Sequence, residues 1–183
     1  GLLNFVASMA LLALTVTGVW SWYARRRRER PAKLADTLDV LVAHASQTGT
    51  ATRYAEATAE ALRAGGETVA VAPLGTLEAS DLRRARLLLV VASTTGEGEI
   101  PDGARRFVTA LAPDALAGVR YAVLGLGDRS YAQFCGGAER LRVALKAAGA
   151  DECLPPARAD RDPGPTWTAW MRDLDLRLGV KVG

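Results

Sequence analysis

From residue 38 onward, short apolar runs alternate with longer segments in which apolar residues recur at helical spacing. Short uninterrupted runs are typical of buried strands, and they cover residues 38–43, 68–72, 87–92, 121–124 and 153–154. The segments between and after them predict helices over residues 50–64, 102–111, 138–148 and 166–178. Because strands and helices take turns with short connections, the chain predicts an α/β fold, a doubly wound five-stranded parallel sheet with helices on both faces.

A longer apolar segment precedes this pattern. Residues 2–23 include no charged side chain, and residues 25–30 read RRRRER. A stretch of this length matches the ~20 residues with which a helix crosses a bilayer, and Trp20, Trp22 and Tyr23 lie where an aromatic belt is expected. We therefore predict one transmembrane helix over residues 1–24. The arginines orient it with everything from Ala24 onward in the cytoplasm, so we expect the chain at the inner membrane.

Two other interpretations of this segment are weaker. A secretory signal peptide carries its positive charge before the apolar run, whereas here the arginines follow it. A buried core helix would be shorter or amphipathic, and an arginine run would not normally follow it.

The composition divides the chain into four parts. We predict a transmembrane helix over residues 1–24, a basic juxtamembrane tether over 25–37, a globular domain over 38–178 and a linker towards a further C-terminal domain over 179–183. The chain starts with Gly rather than Met, already inside the apolar segment. We therefore expect a piece of a longer polypeptide, with further sequence on both sides.

The net charge of +3 belongs to the segment next to the predicted helix. From residue 37 onward, 17 Lys and Arg balance 18 Asp and Glu. The globular part has no basic excess for nucleic acid, so we exclude that class of function, while the arginine run suits anionic lipid headgroups. Cys135 and Cys153 are too few for a disulfide framework and wrongly spaced for a metal site, so we expect no metal and a reducing compartment.

Small and polar residues follow four of the predicted strands. The loops read SQTGTAT after the first strand, STTGEGE after the third, GLGDRSY after the fourth and ARADRDP after the fifth. In an open parallel sheet, ligands bind outside the carboxyl ends of the strands, where the strand order reverses. We therefore expect one ligand site built from these loops.

The first loop has the composition of a phosphate site. It lies between a strand and a helix N-terminus, where backbone amides and the helix dipole favour an anion. Ser46, Thr48 and Thr50 add hydroxyl donors, and Gly49 lets the backbone approach closely. The loop has no lysine, so it is not a nucleoside-triphosphate loop, and it suits a phosphate that is held but not transferred. The alternative, a helix start capped by one hydroxyl, leaves the other hydroxyls unexplained.

The segment GLGDRS at residues 125–130 could be taken for part of a dinucleotide fingerprint. It follows the wrong strand, lacks the third glycine, and has no acidic residue closing a following strand. We therefore reject nicotinamide-nucleotide binding at this segment.

Three stretches carry a family resemblance, and they read VLVAHASQTGTATRYAEATAEAL, VVASTTGEGEIPDGARRF and VLGLGDRSYAQFCGGAERL. In order and spacing they resemble the three flavin-binding loops of the flavodoxin-like FMN domain of diflavin reductases, including the sulfite reductase flavoprotein. The resemblance runs from about residue 38 to residue 178. It implies a flavodoxin-like fold with noncovalently bound FMN as the cofactor.

The resemblance also implies which residues hold the FMN. The phosphate is assigned to Ser46, Gln47, Thr48, Gly49, Thr50 and Ala51. One edge of the isoalloxazine ring is assigned to Ser93, Thr94, Thr95, Gly96 and Gly98. The other wall is assigned to Leu124, Gly125, Gly127, Asp128, Tyr131, Phe134 and Cys135. Asp160 matches an acidic position near the flavin, with the capping of a helix as its alternative role.

Two of these positions affect the ring directly. Tyr131 matches the tyrosine that stacks on the flavin in this family, the alternative being a surface tyrosine at a helix start. Thr95 stands where many relatives carry a second aromatic residue. We therefore expect one face of the ring to be less shielded than in those relatives.

Four further residues have structural interpretations. Cys135 recurs in the sulfite reductase branch, but we expect it to pack as a small hydrophobe. His44 is the only histidine and is expected to be structural. We expect Trp167 and Trp170 to pack a helix against the sheet.

The segment TGVWSWYARRRRER at residues 17–30 resembles the end of the last transmembrane helix of PepSY-type membrane proteins. Some of these proteins continue into a flavodoxin-like domain and a flavin reductase domain, and the family includes bacterial reductases linked to iron–siderophore uptake. The predicted helix has no histidine. A haem would therefore require further N-terminal helices, which we expect in the longer polypeptide.

Together these implications predict a membrane-tethered FMN electron-transfer module of an NADPH-dependent flavoprotein reductase, with no catalytic acid, base or nucleophile. The expected partners are a FAD/NADPH reductase domain and a downstream acceptor, either a membrane haem domain or a ferric-siderophore system. One alternative is the FMN domain of a membrane-anchored sulfite-reductase-like or cytochrome reductase. Another is a flavin-free binding module, against which the intact phosphate loop and Tyr131 argue.

Overall fold

The computed structural model describes residue 17 and residues 37–183. The helix predicted over residues 1–24 therefore lies, except for residue 17, outside the described residues. Within the part that is described, no helix combines the length and apolar character needed to span a bilayer. The transmembrane helix stays a prediction.

A parallel sheet forms the centre of the domain. Its strands are β1 (Leu38–Ala45), β2 (Val69–Pro73), β3 (Ala85–Ser93), β4 (Arg120–Leu126), β5 (Asp151–Glu152) and β6 (Ala157–Ala159). The order is β2-β1-β3-β4-β5, with β6 also paired to β4, and every pairing is parallel. The chain order reverses between β1 and β3, as a doubly wound sheet requires.

The fifth strand differs from the prediction. The structure places Cys153 and Leu154 between β5 and β6, so the prediction of a strand at residues 153–154 is wrong. Both short strands lie along β4, because Arg120 pairs with Asp151 and Leu124 pairs with Ala157. Two prolines at residues 155 and 156 have no N–H to donate to the ladder, which explains the interruption. The described sheet therefore has six strands in five positions.

The four predicted helices are present. They are α1 (Thr50–Ala64), α3 (Asp102–Ala110), α4 (Gly136–Ala147) and α5 (Gly164–Leu178), and the bounds of α1 match the prediction at both ends. The one-turn helix α2 (Ala79–Leu82) and the 3-10 turn Leu74–Thr76 before it were not predicted from the sequence. Both are too short to give a helical period. A capping box between Glu78 and Asp81 closes the start of α2.

Both faces of the sheet are buried. Successive side chains of β3 alternate between two apolar cores, one holding Leu88, Val90 and Ala92 and the other Leu87, Leu89 and Val91. Helices α3 and α4 cover the first core, and α1 and α5 cover the second. This burial leaves the ends of the strands as the place where polar loops meet solvent.

The tryptophans of α5 pack as predicted. Trp170 is buried in the second core, and Trp167 packs against its edge. The Trp167 Nε1 donates a hydrogen bond to the buried Thr58 Oγ1 of α1 at 2.9 Å, and the Trp167 ring lies 6.0 Å from that of Tyr54. These contacts join the two helices on this face of the sheet.

Helix α3 approaches the turn after β2 so closely that one position requires glycine. A Cβ at Gly75 would lie 1.6 Å from the carbonyl oxygen of Gly103, whereas a Cβ at Gly103 would meet nothing within 4 Å. The contact is therefore asymmetric, and it fixes where α3 packs.

We expect Gly75→Ala to lower the free energy of unfolding by about 1–3 kcal/mol, because the new methyl group forces two backbone segments apart. Gly103→Ala is the matched control, and in an open helical position it should be neutral or stabilise by up to ~1 kcal/mol. Urea unfolding followed by circular dichroism measures both. Equal transition midpoints for the two variants would contradict this account of the contact.

Candidate functional site

One cavity lies at the carboxyl ends of the strands and encloses about 550 Å³. This volume is within the range typical of sites for small molecules and cofactors. Nine residues predicted from the sequence line it: Thr48, Thr50, Ser93, Thr94, Gly96, Gly127, Asp128, Tyr131 and Asp160. The loops after β1, β3, β4 and β6 all contribute to its wall, so the predicted convergence of strand-end loops is present.

The loop after β1 presents hydroxyl groups and helix amides to this cavity. Gly49 precedes α1 with a φ of 91°, a left-handed conformation that strains other residues. The Ser46 Oγ accepts a hydrogen bond from the Gly49 amide at 3.0 Å, which closes the turn. Within the described residues no side chain caps α1, and its first amides have no partners inside the helix. Together with the Thr48 and Thr50 hydroxyls, these amides are available to donate hydrogen bonds to an anion.

His44 stabilises the base of this loop. Its Nδ1 lies 3.2 Å from the Oγ1 of Thr52 in the first turn of α1, so the two residues bridge the loop between them. Burial of the imidazole lowers the pKa of His44 below its usual value. His44 does not line the cavity, in agreement with the structural role predicted for it.

The loop after β3 forms a tight turn. Thr95 and Glu99 exchange backbone hydrogen bonds of 3.0 and 2.7 Å, and Gly96 and Gly98 between them have φ values of 50° and 85°. The Thr95 hydroxyl donates to the Glu99 carbonyl at 3.2 Å, so this side chain is used within the turn. The Ser93 Oγ donates to the Ala45 carbonyl at 3.0 Å and ties this loop to the end of β1.

Glycines let α4 pack directly beneath the cavity. A Cβ at Gly137 would lie 2.5 Å from the carbonyl oxygen of Glu99, and one at Gly127 would lie 2.7 Å from the amide nitrogen of Cys135. Larger side chains at these positions would push the start of α4 away from both loops. The absence of side chains therefore brings the walls of the site together.

Cys135 packs behind the wall. It is buried, has a left-handed φ of 56°, and its Sγ donates weakly to the carbonyls of Gly125 at 3.5 Å and Ala159 at 3.7 Å. Burial raises the pKa of the Cys135 thiol to about 11, so the group is protonated at neutral pH. This matches the small-hydrophobe role predicted for it.

Tyr131 stands at the opposite wall with 66% of its surface exposed. Its amide donates to the Asp128 carbonyl at 3.1 Å, which sets the turn that carries the ring. Phe134 is half-buried beside the cavity, with the Arg129 guanidinium 5.3 Å from its ring centre. An exposed aromatic ring on a cavity wall is suited to stacking against a planar ligand.

Charged residues close the remaining side. The Asp128 carboxylate accepts a hydrogen bond from Arg161 at 2.7 Å, and this contact, with the bonds from Ser130, lowers the pKa of Asp128 to about 2. Asp160 accepts the backbone amides of Arg129 and Arg161, which lowers its pKa as well. Asp160 therefore joins two loops, and the alternative role of capping a helix does not apply.

Ten predicted residues do not line the cavity. Some are buried behind the loops and the others lie beside the cavity within them: Ser46, Gln47, Gly49, Ala51, Thr95, Gly98, Leu124, Gly125, Phe134 and Cys135. Four lining residues were not predicted: Leu126, Gln133, Arg161 and Pro163. Arg161 and Pro163 belong to the loop ARADRDP, whose position after a strand was the available signal.

The chain resembles known proteins over most of its length. A family model described as Flavodoxin matches residues 42–168. The sulfite reductase (NADPH) flavoprotein alpha-component of Shewanella sp. (strain MR-7) is 36% identical over 146 residues, which cover 78% of this chain and 24% of that protein. The same component from Mannheimia succiniciproducens is 38% identical over 141 residues, covering 75% of this chain and 24% of that protein. The chain thus spans about a quarter of the length of these curated relatives.

Solved flavodoxins match the fold over nearly their whole length. A cysteine-to-alanine mutant of flavodoxin from Pseudomonas aeruginosa gives a TM-score of 0.62 at 30% identity, covering 74% of this chain and 98% of that chain. A flavodoxin from Streptococcus pneumoniae gives a TM-score of 0.67 at 26% identity, covering 76% of this chain and 97% of that chain. The chain therefore belongs to the flavodoxin family, as an FMN electron-transfer domain and oxidoreductase component homologous to part of the sulfite reductase flavoprotein.

Proposed function

We propose that the cavity at the strand ends binds FMN noncovalently, with the phosphate on the loop after β1 and the ring between the loops after β3 and β4. The observation that carries this proposal is that one wall of the cavity supplies hydrogen-bond donors and the other supplies apolar surface. Thr48, Thr50 and the first amides of α1 supply donors for a phosphate, while Leu126 and Tyr131 supply apolar surface for a planar ring.

The donor set fits a phosphate monoester. Hydroxyls and amides hold the group by hydrogen bonds without a lysine in the loop, which suits a phosphate that stays in place. An aromatic contact with Tyr131 contributes ~0.5–1.5 kcal/mol beyond the area it buries. The glycines of the loop after β3 let backbone atoms approach the ring edge.

The residues of this chain bind and orient the cofactor, and the bound flavin supplies the one-electron and two-electron chemistry. The walls of the cavity exclude water from one side of the ring, and the charged groups at Asp128 and Asp160 set the local potential. Cys135 stays a buried thiol and does not compete as a nucleophile. No side chain is required to act as an acid or a base.

The electron donor we propose is a FAD domain that takes electrons from NADPH. Support comes from the relatives, whose name includes NADPH and of which this chain matches about a quarter. The acceptor we propose is a membrane haem domain or a ferric-siderophore reducing system, supported by the sequence resemblance of residues 17–30 to PepSY-type proteins. The relatives themselves favour a second candidate, a sulfite-reductase-like acceptor.

Membrane attachment is part of the same proposal. It is supported by the uncharged residues 2–23 and by the arginines after them. Each arginine near an anionic surface contributes about 1 kcal/mol of attraction. In this proposal, a helix over residues 1–24 and the arginines after it keep the FMN domain on the cytoplasmic face of the inner membrane.

After incubation with excess flavin, the purified protein should hold one FMN and release it on denaturation, because the cavity offers one phosphate site and one ring site. Absorbance spectroscopy and chromatography of the released cofactor measure this. Release of FAD would contradict the assignment of the cavity. No bound flavin after incubation with excess flavin would also contradict it and would favour the flavin-free binding module.

Thr48→Ala and Thr50→Ala should each weaken the binding of FMN by about tenfold to a hundredfold, while the affinity for riboflavin stays nearly unchanged. Each removes a hydroxyl aimed at a charged phosphate, and such bonds contribute ~1.5–3 kcal/mol. Fluorescence titration with both ligands measures the ratio. Thr109→Ala is the control, since that hydroxyl bonds to carbonyls of its own helix. Equal losses for FMN and riboflavin would show that these threonines do not hold the phosphate.

Deleting residues 1–24 should move the protein from the membrane fraction to the soluble fraction, because the deletion removes the proposed anchor. Fractionation with an alkaline wash measures the attachment. Replacing the arginines at residues 25–28 by glutamine, with a reporter at the C-terminus, tests orientation separately. Unchanged partition after the deletion would contradict the anchor.

A further inference from the structure

Two Asp-Arg dipeptides face each other at the mouth of the cavity. Asp128-Arg129 follows β4, and Asp160-Arg161 follows β6. The two strands pair in parallel up to Leu126 and Ala159, so their loops leave the sheet side by side. Each arginine then reaches the aspartate of the other loop: Arg161 Nε lies 2.7 Å from Asp128 Oδ2, and Arg129 Nε lies 3.8 Å from Asp160 Oδ2.

Hydrogen bonds from backbone amides to the two aspartates hold this pair of ion pairs in place. The Asp160 Oδ1 accepts the amides of Arg129 at 3.0 Å and Arg161 at 2.9 Å, so one carboxylate oxygen holds both loops. The Asp128 Oδ1 accepts the amide of Ser130 at 2.8 Å, and Arg161 Nη2 donates to the Ser130 Oγ at 2.9 Å. The next residue is Tyr131, whose amide bonds to the Asp128 carbonyl.

We propose that Asp128, Arg129, Asp160 and Arg161 form a reciprocal clasp, in which Arg161 is a positioning residue that holds the Tyr131 turn against the cavity and balances the charge beside the flavin. The clasp as a feature of the chain stands on these contacts alone. Its effect on the flavin rests on the proposed function.

The charge argument follows from where the groups lie. Asp128, Asp160 and Arg161 all line the cavity. Reduction adds negative charge to a bound flavin, and two uncompensated carboxylates would oppose it. Arg161 cancels the charge of Asp128 at contact distance, so it favours the reduced form relative to the oxidised form.

Stability measurements alone would not reveal this role. The side chain of Arg161 is 70% exposed, and exposed ion pairs contribute little to the free energy of folding. Arg161→Gln should therefore fold with an unchanged unfolding midpoint. The substitution should instead change the binding and potential of FMN and the pKa of the Asp128 carboxylate.

With FMN bound to the full chain, Arg161→Gln should increase the ratio of the dissociation constants of one-electron-reduced and oxidised FMN by about threefold to tenfold, as expected for one partly screened charge. This corresponds to a one-electron potential about 30–60 mV more negative, since a tenfold change equals 59 mV. Arg161→Lys keeps the charge but loses the two-pronged contact. It should keep the potential of the wild-type protein. The fluorescence of bound FMN should rise in both Arg161 variants, because a looser Tyr131 turn stacks its ring less closely on the flavin.

Arg86→Gln is the matched control. Arg86 pairs with Glu67 at 3.2 Å with 44% of its side chain exposed, and it lies at the opposite end of β3. Seven residues of strand separate it from Ser93 at the cavity, about 23 Å at ~3.3 Å per residue. That separation exceeds the ~8 Å screening length at physiological salt, so this variant should leave the potential unchanged.

A second readout needs no flavin. In the wild-type protein the Asp128 carboxylate has a pKa lowered to about 2, with Arg161 as the first cause. It therefore stays mostly ionised below pH 4 and becomes half protonated only at a pH of about 2. Carboxyl NMR titration of Arg161→Gln should show the pKa of Asp128 moving up towards the ordinary value near 4. The negative charge of Asp160 favours this rise, and the positive charge of Arg129 opposes it.

The outcomes separate the clasp from the cofactor assignment. A wild-type protein that binds no FMN would overturn the proposed function, while the Asp128 titration would still test the clasp. A wild-type protein that binds FMN, with the same potential in Arg161→Gln as in wild type, would overturn the role of Arg161 beside the flavin. An unshifted Asp128 pKa in Arg161→Gln would overturn the clasp itself.

Discussion

The parallel pairing of β1, β3 and β4 is the constraint on which the site depends. These strands are covered on both faces, so their side chains are apolar and their backbone groups bond within the sheet. Polar residues are confined to the strand ends. Since the strands run in the same direction, their carboxyl ends meet at one edge, and three loops distant in sequence are brought to the same cavity.

Close packing behind these loops determines which chemical groups of the protein are accessible to a ligand. Glycines at residues 125, 127 and 137 let α4 press against the loops after β3 and β4. The same packing encloses Cys135, and burial keeps its thiol protonated. The protein thus presents hydroxyls, amides and paired charges to a ligand, while the Cys135 thiol stays buried.

The sequence was sufficient for the alternation of strands and helices, because long apolar runs and helical periods are local signals. It failed at residues 153–154, where an apolar pair suggested a strand but the prolines that follow interrupt the ladder. It also assigned Leu124 to the cavity, whereas Leu126 lines it. Both side chains belong to the same core because the strand repeats every two residues, and only the later one extends to the cavity.

Arg161 was missed for a different reason. Its partner Asp128 lies 33 residues away in sequence, and their contact depends on the pairing of β4 with β6. A pattern along the chain does not reveal which arginine reaches across two loops. The composition of the loop ARADRDP indicated that it faces the site, but only the three-dimensional structure shows where its side chains point.

The interrupted outer strand has a consequence for association between molecules. A long exposed strand presents a row of unpaired amides on which a second chain can add a strand. At one border of this sheet, β5 and β6 contribute two and three residues, and the prolines between them have no amide to offer. At the other border, β2 ends at Pro73. Both borders are therefore poor templates for edge-to-edge aggregation, and the domain can reach high local concentrations without its sheets joining.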